Sequence, residues 1–597
     1  MTNFHSSARK VVALLSMVAT IAAVSFVAGP EMDSCAYAQT PQQVTEVEGI
    51  TEYRLDNGVK LLLFPDKSKP QFTINVTVRA GSRHEGYGET GMAHLLEHML
   101  FKGTDRHPDI PALLKDRGVL NMNGTTWVDR TNYYETLPST GDNLEFAIDM
   151  EADRLINSWI NGEDLESEMT VVRNEFERGE NSPSRILYQR IMAGAYEWHN
   201  YGKSTIGNRT DIERVQIPNL RAFYRKFYQP DNIMVVIAGD FETENALELV
   251  QQYFGAIPRP ERELPTTYTE EPVQDGERVV KLRRVGDYQV VGVAYHIPAA
   301  GDEMYPSFEV MAEILGNQPD GPLYKNLVEA ELASSISADA MATHDPGMIM
   351  ATADVNIEDD IEAARRVLVE TVESIATDGV SDEDVSRAIT KLANRRERAF
   401  ANTEQFAINL SEWEAYGDWR LFFLHRDRVG EVTADDVQLA AQSFLLEDNR
   451  TVGMFLPQEE PVRAPLPSRP DLETALAGYT GGEAISTGEA FEPTPANIDA
   501  RTITGQLDSG AQYAFLPKET RGDKVFVSID MHYGDEETLF EYVTASEMLP
   551  RLLSRGTESY SFQEFRDRLN ELSARMSFSG GTGDLSVSIE TTRENLN

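Results

Sequence analysis

The sequence predicts an α+β fold built from repeated sandwich units, each a mostly antiparallel sheet covered by helices. Three observations carry that prediction. The stretch DNGVKLLLFPDKSKPQFTINVTVRAGS at 56–82 has a counterpart in DSGAQYAFLPKETRGDKVFVSIDMHYG at 508–534, and each reads as a turn, a strand, a second turn and an alternating strand such as Phe72, Ile74, Val76 and Val78. Amphipathic runs such as IEDDIEAARRVLVETVESIATDG at 357–379 have helical period. A turn leading into a strand recurs as QPDNIMVVIAG at 229–239 and LEDNRTVGMFL at 446–456, closing units of about 200 residues.

Taken in chain order, the first segment is a targeting signal. Arg9 and Lys10 precede the apolar run VVALLSMVATIAAVSFVAG, and Ala36-Tyr37-Ala38 offers small residues at alternate positions to a signal peptidase. Residues 1–38 therefore read as a signal peptide, and the mature chain as periplasmic or secreted. The apolar run is nearly long enough to span a bilayer, so an uncleaved anchor is the alternative, and a membrane is a partner only through this segment. Cys35, the only cysteine, would leave with the signal, which excludes disulfides, thiolate metal ligands and cysteine nucleophiles from the mature chain. A first unit is expected over 46–262 and a second over 263–457. Residues 458–500, rich in Pro, Glu and Gly and without apolar period, read as a linker. An incomplete third unit is expected over 501–597, because the sequence stops at Glu594-Asn595-Leu596-Asn597 in what should be the first turn of a helix.

Charge narrows the partners. Ninety-seven acidic against 54 basic residues give −43, spread along the chain, and no basic stripe is visible that could bind nucleic acid. A hydrated, soluble surface accounts for this balance; an acidic wall that attracts basic peptides is the sharper reading.

The chemistry concentrates in GMAHLLEHMLFKGT at 91–104. On a helix, His94 and His98 lie one above the other and can direct a ring nitrogen each at one ion, with Glu97 on nearly the same face. A carboxylate there can take a proton from a water whose pKa the metal lowers. A hydrogen-bonded helical pair without metal is the plainer account, and a third ligand is needed to decide between them.

The order His-x-x-Glu-His resembles the signature of the inverzincins, the family of pitrilysin, insulin-degrading enzyme and mitochondrial processing peptidase. The resemblance implies one zinc ion per chain, with a glutamate on a later helix as its third ligand. Glu175 in ESEMTVVRNEFERGE, 77 positions after His98, matches that place (175 − 98). Glu168, seven residues before it (175 − 168), matches a second glutamate of the family and is assigned with Glu97 to the catalytic set, although a surface glutamate would equally explain it. NGTTWVDRTNYYETLP at 123–138 resembles the family's substrate-pairing edge strand, which makes Asn123, Gly124 and Thr125 the expected substrate-binding residues. Here Gly124 stands where the family uses alanine, and Asn123 alone could simply turn the chain. HNYGKSTIG at 199–207 also resembles a family stretch, with His199 read as structural.

The repeat supplies an internal control. Aligning LFKGT at 100–104 with LSRGT at 553–557 places Glu547, Pro550 and Arg551 where His94, Glu97 and His98 stand, so the third unit lacks the ligands. The resemblance implies a pitrilysin-like zinc endopeptidase that hydrolyses peptides or unfolded polypeptides inside a closing chamber, completed by a missing C-terminal half or a partner chain. The alternative is a non-catalytic peptide-binding or processing-partner subunit.

Overall fold

The structure, a computed structural model, describes residues 41–597, so the expected signal segment and Cys35 lie outside the described residues. Two compact units divide between Arg463 and Ala464.

In the first unit, a seven-stranded sheet runs in the order β1 (Gln42–Val47), β2 (Ile50–Arg54), β3 (Lys60–Pro65), β7 (Ile233–Gly239), β4 (Gln71–Val78), β6 (Thr131–Pro138), β5 (Asn121–Thr126). Only β3 and β7 pair in parallel. A five-stranded sheet follows, in the order β10 (Ser335–Ala340), β11 (Gly347–Val355), β9 (Gln289–Ile297), β12 (Arg450–Pro457), β8 (Arg278–Arg284), parallel only between β12 and β8. The α+β class with antiparallel-dominated sheets is as expected.

The central strands of both sheets are buried on both faces, and their sequences show why. In β7, IMVVIAG, every residue is buried, as in a strand covered on two sides. Leu61, Leu63, Val235 and Ile237 face one core with α1 (Met92–Met99) and α2 (Asn143–Asn157). Leu62, Met234, Val236 and Ala238 alternate to the other face, where they meet Phe406, Leu410, Trp419 and Phe422. Those residues belong to the segment holding α5 (Thr403–Ala415) and α6 (Leu421–Glu431), far along the chain. The exchange is mutual. The second sheet buries Val291, Val293 and Ile349 against its own helices, including Ile361–Asp378 within the amphipathic run, but turns Val290, Ala294 and Phe455 to Ile186, Leu187 and Ile191 of α4 (Pro183–Ala195). Helix α4 itself follows α3 (Gly162–Glu180). Packing therefore crosses the boundary expected at 262/263: each of the two regions supplies the helix that covers the other's second sheet face.

The second unit, residues 464–597, contains a hairpin of β13 (Ile503–Gln506) and β14 (Gln512–Phe515) and a sheet ordered β15 (Lys524–His532), β17 (Asp584–Thr592), β16 (Arg575–Gly581). That order and its antiparallel pairing repeat β4, β6, β5. After α7 (Val543–Leu553), Gly556 has φ 135° and Thr557 N donates to the Tyr560 carbonyl. Likewise, after α1, Gly103 has φ 117° and Thr104 N donates to the His107 carbonyl. Phe526, Ile529 and Met531 on β15 are exposed.

The seat of α4 on the second sheet is made by two glycines that face each other across β9 and β12, Gly292 and Gly453. A Cβ on Gly453 would lie 2.4 Å from Ile191 Cγ1 and 3.0 Å from Leu187 Cδ1. Gly453→Ala should therefore displace α4 and cost about 1–3 kcal/mol of stability, as overpacking does, measured by chemical denaturation of the first-unit transition.

Candidate functional site

Helix α1 is short, and its start is fixed from outside. Gly91 adopts φ 89° at its N-cap, and Glu85 accepts hydrogen bonds from Gly91 N and Ala93 N, both at 2.9 Å, answering two of the unpaired N–H groups of the first turn. Burial drives the Glu85 carboxyl up to about 8, against those two donors. Gly207 lies so close to Gly91 that a Cβ would stand 2.6 Å from the Gly91 nitrogen, so the 199–207 stretch clamps the start of the helix.

From α1, His94 and His98 project side by side, with ring centroids 4.9 Å apart. Glu175 reaches in from α3, its Oε2 at 3.7 Å from His94 Nε2 and 3.8 Å from His98 Nε2. These separations are too long for hydrogen bonds and close to the ~3.4 Å expected between ligand atoms about 2 Å from a shared tetrahedral ion. His94, Glu97 and His98 also group within 4.8 Å as a metal-capable set. Burial, followed by the neighbouring His98 and Arg185, lowers His94 to about 4, so its imidazole is neutral at pH 7, the state with a lone pair to give. Its Nδ1 is buried without a partner. His98 is oriented more firmly: its Nδ1 donates to Glu168 Oε2 at 3.1 Å, which leaves Nε2 facing Glu175. Lys102 Nζ lies 2.5 Å from the other Glu168 oxygen. Glu168, expected in the catalytic set, thus touches a histidine's far side rather than the space between the candidate ligands.

Glu97 is buried. Burial raises its carboxyl, while Thr126 Oγ1, donating to Oε2 at 2.6 Å, works in the opposite direction. Beneath it runs β5, the terminal strand of the sheet. Alternation puts Met122, Gly124 and Thr126 on the α1 side, and a Cβ on Gly124 would lie 2.9 Å from Glu97 Cγ. Asn123 is exposed. Thr125 points to the opposite face, where its hydroxyl binds Asn132 and its carbonyl accepts from Arg130. Trp127 N donates to the Arg130 carbonyl, so by the Thr125–Asn132 register the N–H and C=O groups of Gly124 and Thr126 point to the open edge. Of the expected peptide-contacting residues, Gly124 is therefore beside Glu97 and Thr125 is not; Thr126, on the same edge, donates its hydroxyl to Glu97. His199 is structural in its contacts, its Nδ1 accepting from Tyr201 N and its Nε2 lying 3.1 Å from Asp345.

Residues 61–209 match the family described as insulinase (peptidase family M16), and 214–392 match the peptidase M16 inactive domain. The chain belongs to the M16 peptidase family. It is 26% identical over 366 residues to the zinc protease PqqE of Helicobacter pylori, covering 60% of this chain and 80% of that protein. Among solved structures, a Helicobacter pylori protease superposes with TM-score 0.65 at 23% identity, over 70% of this chain and 100% of that one. The periplasmic protease PqqL of Escherichia coli superposes with TM-score 0.58 at 16% identity, over 93% of this chain and 65% of that one. These two likenesses show the shared fold.

The Glu85 cap makes stability depend on pH in a defined direction. Its folded value lies above that of an exposed glutamate, so between about pH 5 and 8 the unfolded chain is charged while the folded chain keeps the proton, and stability falls as pH rises. Glu85→Gln should flatten that fall. Denaturation midpoints of both proteins across the window give the comparison.

Proposed function

We propose that this M16 chain is a zinc-dependent endopeptidase acting on peptides or unfolded polypeptides. The carrying observation is the convergence of His94 Nε2, His98 Nε2 and Glu175 Oε2 beside a buried Glu97 and an open strand edge. His94, His98 and Glu175 would hold the ion, and zinc, when bound, supplies Lewis acidity toward a carbonyl oxygen and a water. The remaining work falls to the chain. Glu97 accepts a proton from water and delivers it to the leaving amine, held at its station by Thr126 and by the absence of a side chain on Gly124. Glu168, braced by Lys102, keeps His98 in the tautomer that points Nε2 at Glu175. Substrate adds as a further strand along Gly124 and Thr126, through main-chain hydrogen bonds that tolerate varied sequence.

The alternative, a peptide-binding or processing-partner subunit without turnover, draws on the match at 214–392 described as an inactive domain. That match contains none of the four residues; all lie within the insulinase match at 61–209, which supports the catalytic reading. A periplasmic or secreted location belongs to the same proposal. It is supported by the leader-like first segment and by the periplasmic description of PqqL. Among the described residues no helix is long and apolar enough to cross a membrane. Closure of a chamber over the open edge by a partner chain or a further region completes the reading.

Peptide hydrolysis should be abolished by a chelator and restored by zinc. His98→Ala should lose both metal and turnover, whereas Glu97→Gln should keep stoichiometric zinc and lose several orders of magnitude in kcat; zinc retained at full stoichiometry by His98→Ala would refute the ligand assignment. Glu168→Gln should retain the site but weaken zinc about 10–100-fold, read by competition with a chelating dye.

A further inference from the structure

Two adjoining cavities open beside the candidate metal site. One, of about 310 Å³, is walled by His94, Glu175, Arg178 and Arg185. The next, of about 270 Å³, shares Trp127, Arg185, Thr205 and Ile206 with it and continues over Tyr188 and Met192 to Lys203. In a chain of net charge −43, Glu175 is the only carboxylate on either wall, and it faces the two histidines. Arg178, Arg185 and Lys203 are exposed and, among the described residues, none of them forms an ion pair.

Nearby cations behave differently. Arg83 is buried between Asp129 and Asp345, and Arg130 is joined to Glu412, so their charges hold the fold together. Arg185 has no carboxylate partner of this kind; its side chain passes Gly179 in the last turn of α3. It occupies the first turn of α4, which has no acidic residue, and a cation there opposes the helix dipole. Its placement costs the helix stability and leaves its guanidinium on the cavity wall, with an apolar floor of Trp127, Tyr188, Met192 and Ile206 beneath.

We propose that this cleft selects a substrate carboxylate within about two residues of the cleaved bond, a reach set by the ~3.3 Å rise of an extended strand, and that Arg185 and Lys203 are the residues that determine it. Glutamate suits the site better than aspartate, because its longer stem covers the apolar floor while its carboxylate reaches the cations. A free C-terminal carboxylate presents the same chemistry. The proposal rests on the endopeptidase reading for its position relative to the cleaved bond, and it goes beyond that reading in naming the side chain preferred.

The test uses the full chain and C-amidated peptides that differ only by Glu or Gln at each position near the cut, with a second set bearing a free C-terminal carboxylate. Turnover is measured with the zinc-loaded chain, and affinity with Glu97→Gln by fluorescence anisotropy. The expected result is a Glu-over-Gln preference of about tenfold in both measurements, as for a partly exposed charge-assisted hydrogen bond. The preference should fall toward one in the Arg185→Gln, Lys203→Gln double variant and be retained in Arg185→Lys, which also controls for folding. Preference confined to the free-carboxylate set would identify the chain terminus as the source. A ratio near one for both sets, or a preference that survives the double variant, would overturn the proposal. Failure of the endopeptidase reading is separately visible, as discrimination in binding without zinc-dependent turnover.

Discussion

The structure depends on the mutual covering of two sheets. Each buries its second face against helices of the other region: α4 seats on the second sheet, α5 and α6 on the first. A buried ion pair locks the second of these contacts, Lys60 Nζ lying 2.6 Å from Glu414 Oε1, with Trp419 Nε1 donating to Glu52 at 2.7 Å. Breaking one partner of such a pair leaves an uncompensated buried charge, which is why it enforces a single arrangement. The same helix reaches the functional edge. Glu404 of α5 accepts from Asn121 and Thr136, Asn132 donates to Ser411, and Glu412 holds Arg130, which in turn binds the Thr125 carbonyl. Strand β5 is consequently an edge with a rigid back. Its outward hydrogen-bonding groups have no partner strand because β5 ends the sheet.

This constraint explains how an eight-residue helix serves as a precise platform. Isolated, α1 would be too short to persist. Its start is capped by Glu85, its flank rests on Gly124, and its far end carries Lys102, whose ammonium fixes Glu168 and through it His98. Positional accuracy comes from contacts with three other chain segments, at Glu85, Gly124 and Glu168, rather than from the helix itself. Glu168 holds His98 from its far side, and Thr126 holds Glu97 by its hydroxyl.

How much of this was legible in sequence follows from how local each feature is. His94, Glu97 and His98 are legible because three- and four-residue spacings fix a helical face. The β4 strand and the helix Ile361–Asp378 follow from alternation and helical period. Glu175 was reached only through family resemblance, since 77 residues of intervening chain carry no geometric signal. Glu85, Lys102 and Arg185 carry no sequence signal, because their contacts arise where separate elements meet, and only the strand register shows that Thr126, and not Thr125, faces Glu97. Charge summed over a chain says nothing of its distribution: the cavities beside the candidate metal site carry Arg178, Arg185 and Lys203 within a chain of net charge −43. The borrowed helices were equally hidden. A helix repeats its apolar stripe whether it covers its own sheet or another's.

The internal repeat separates what the fold requires from what chemistry requires. In the second unit, strand order β15, β17, β16 and the positive-φ turn at Gly556 reproduce β4, β6, β5 and Gly103, and at the turn glycine takes that conformation without a Cβ penalty. At the equivalent helix positions stand Glu547, Pro550 and Arg551. A proline inside α7, where the first copy has Glu97, is tolerated by the backbone there and offers no proton acceptor. The fold can therefore do without the histidines and the buried glutamate. Their presence in the first copy leaves His94 Nδ1 buried without a partner and holds the Glu97 carboxyl where burial works against its ionisation, both unfavourable for folding. Both costs fit the metal-holding and proton-accepting roles proposed for these residues.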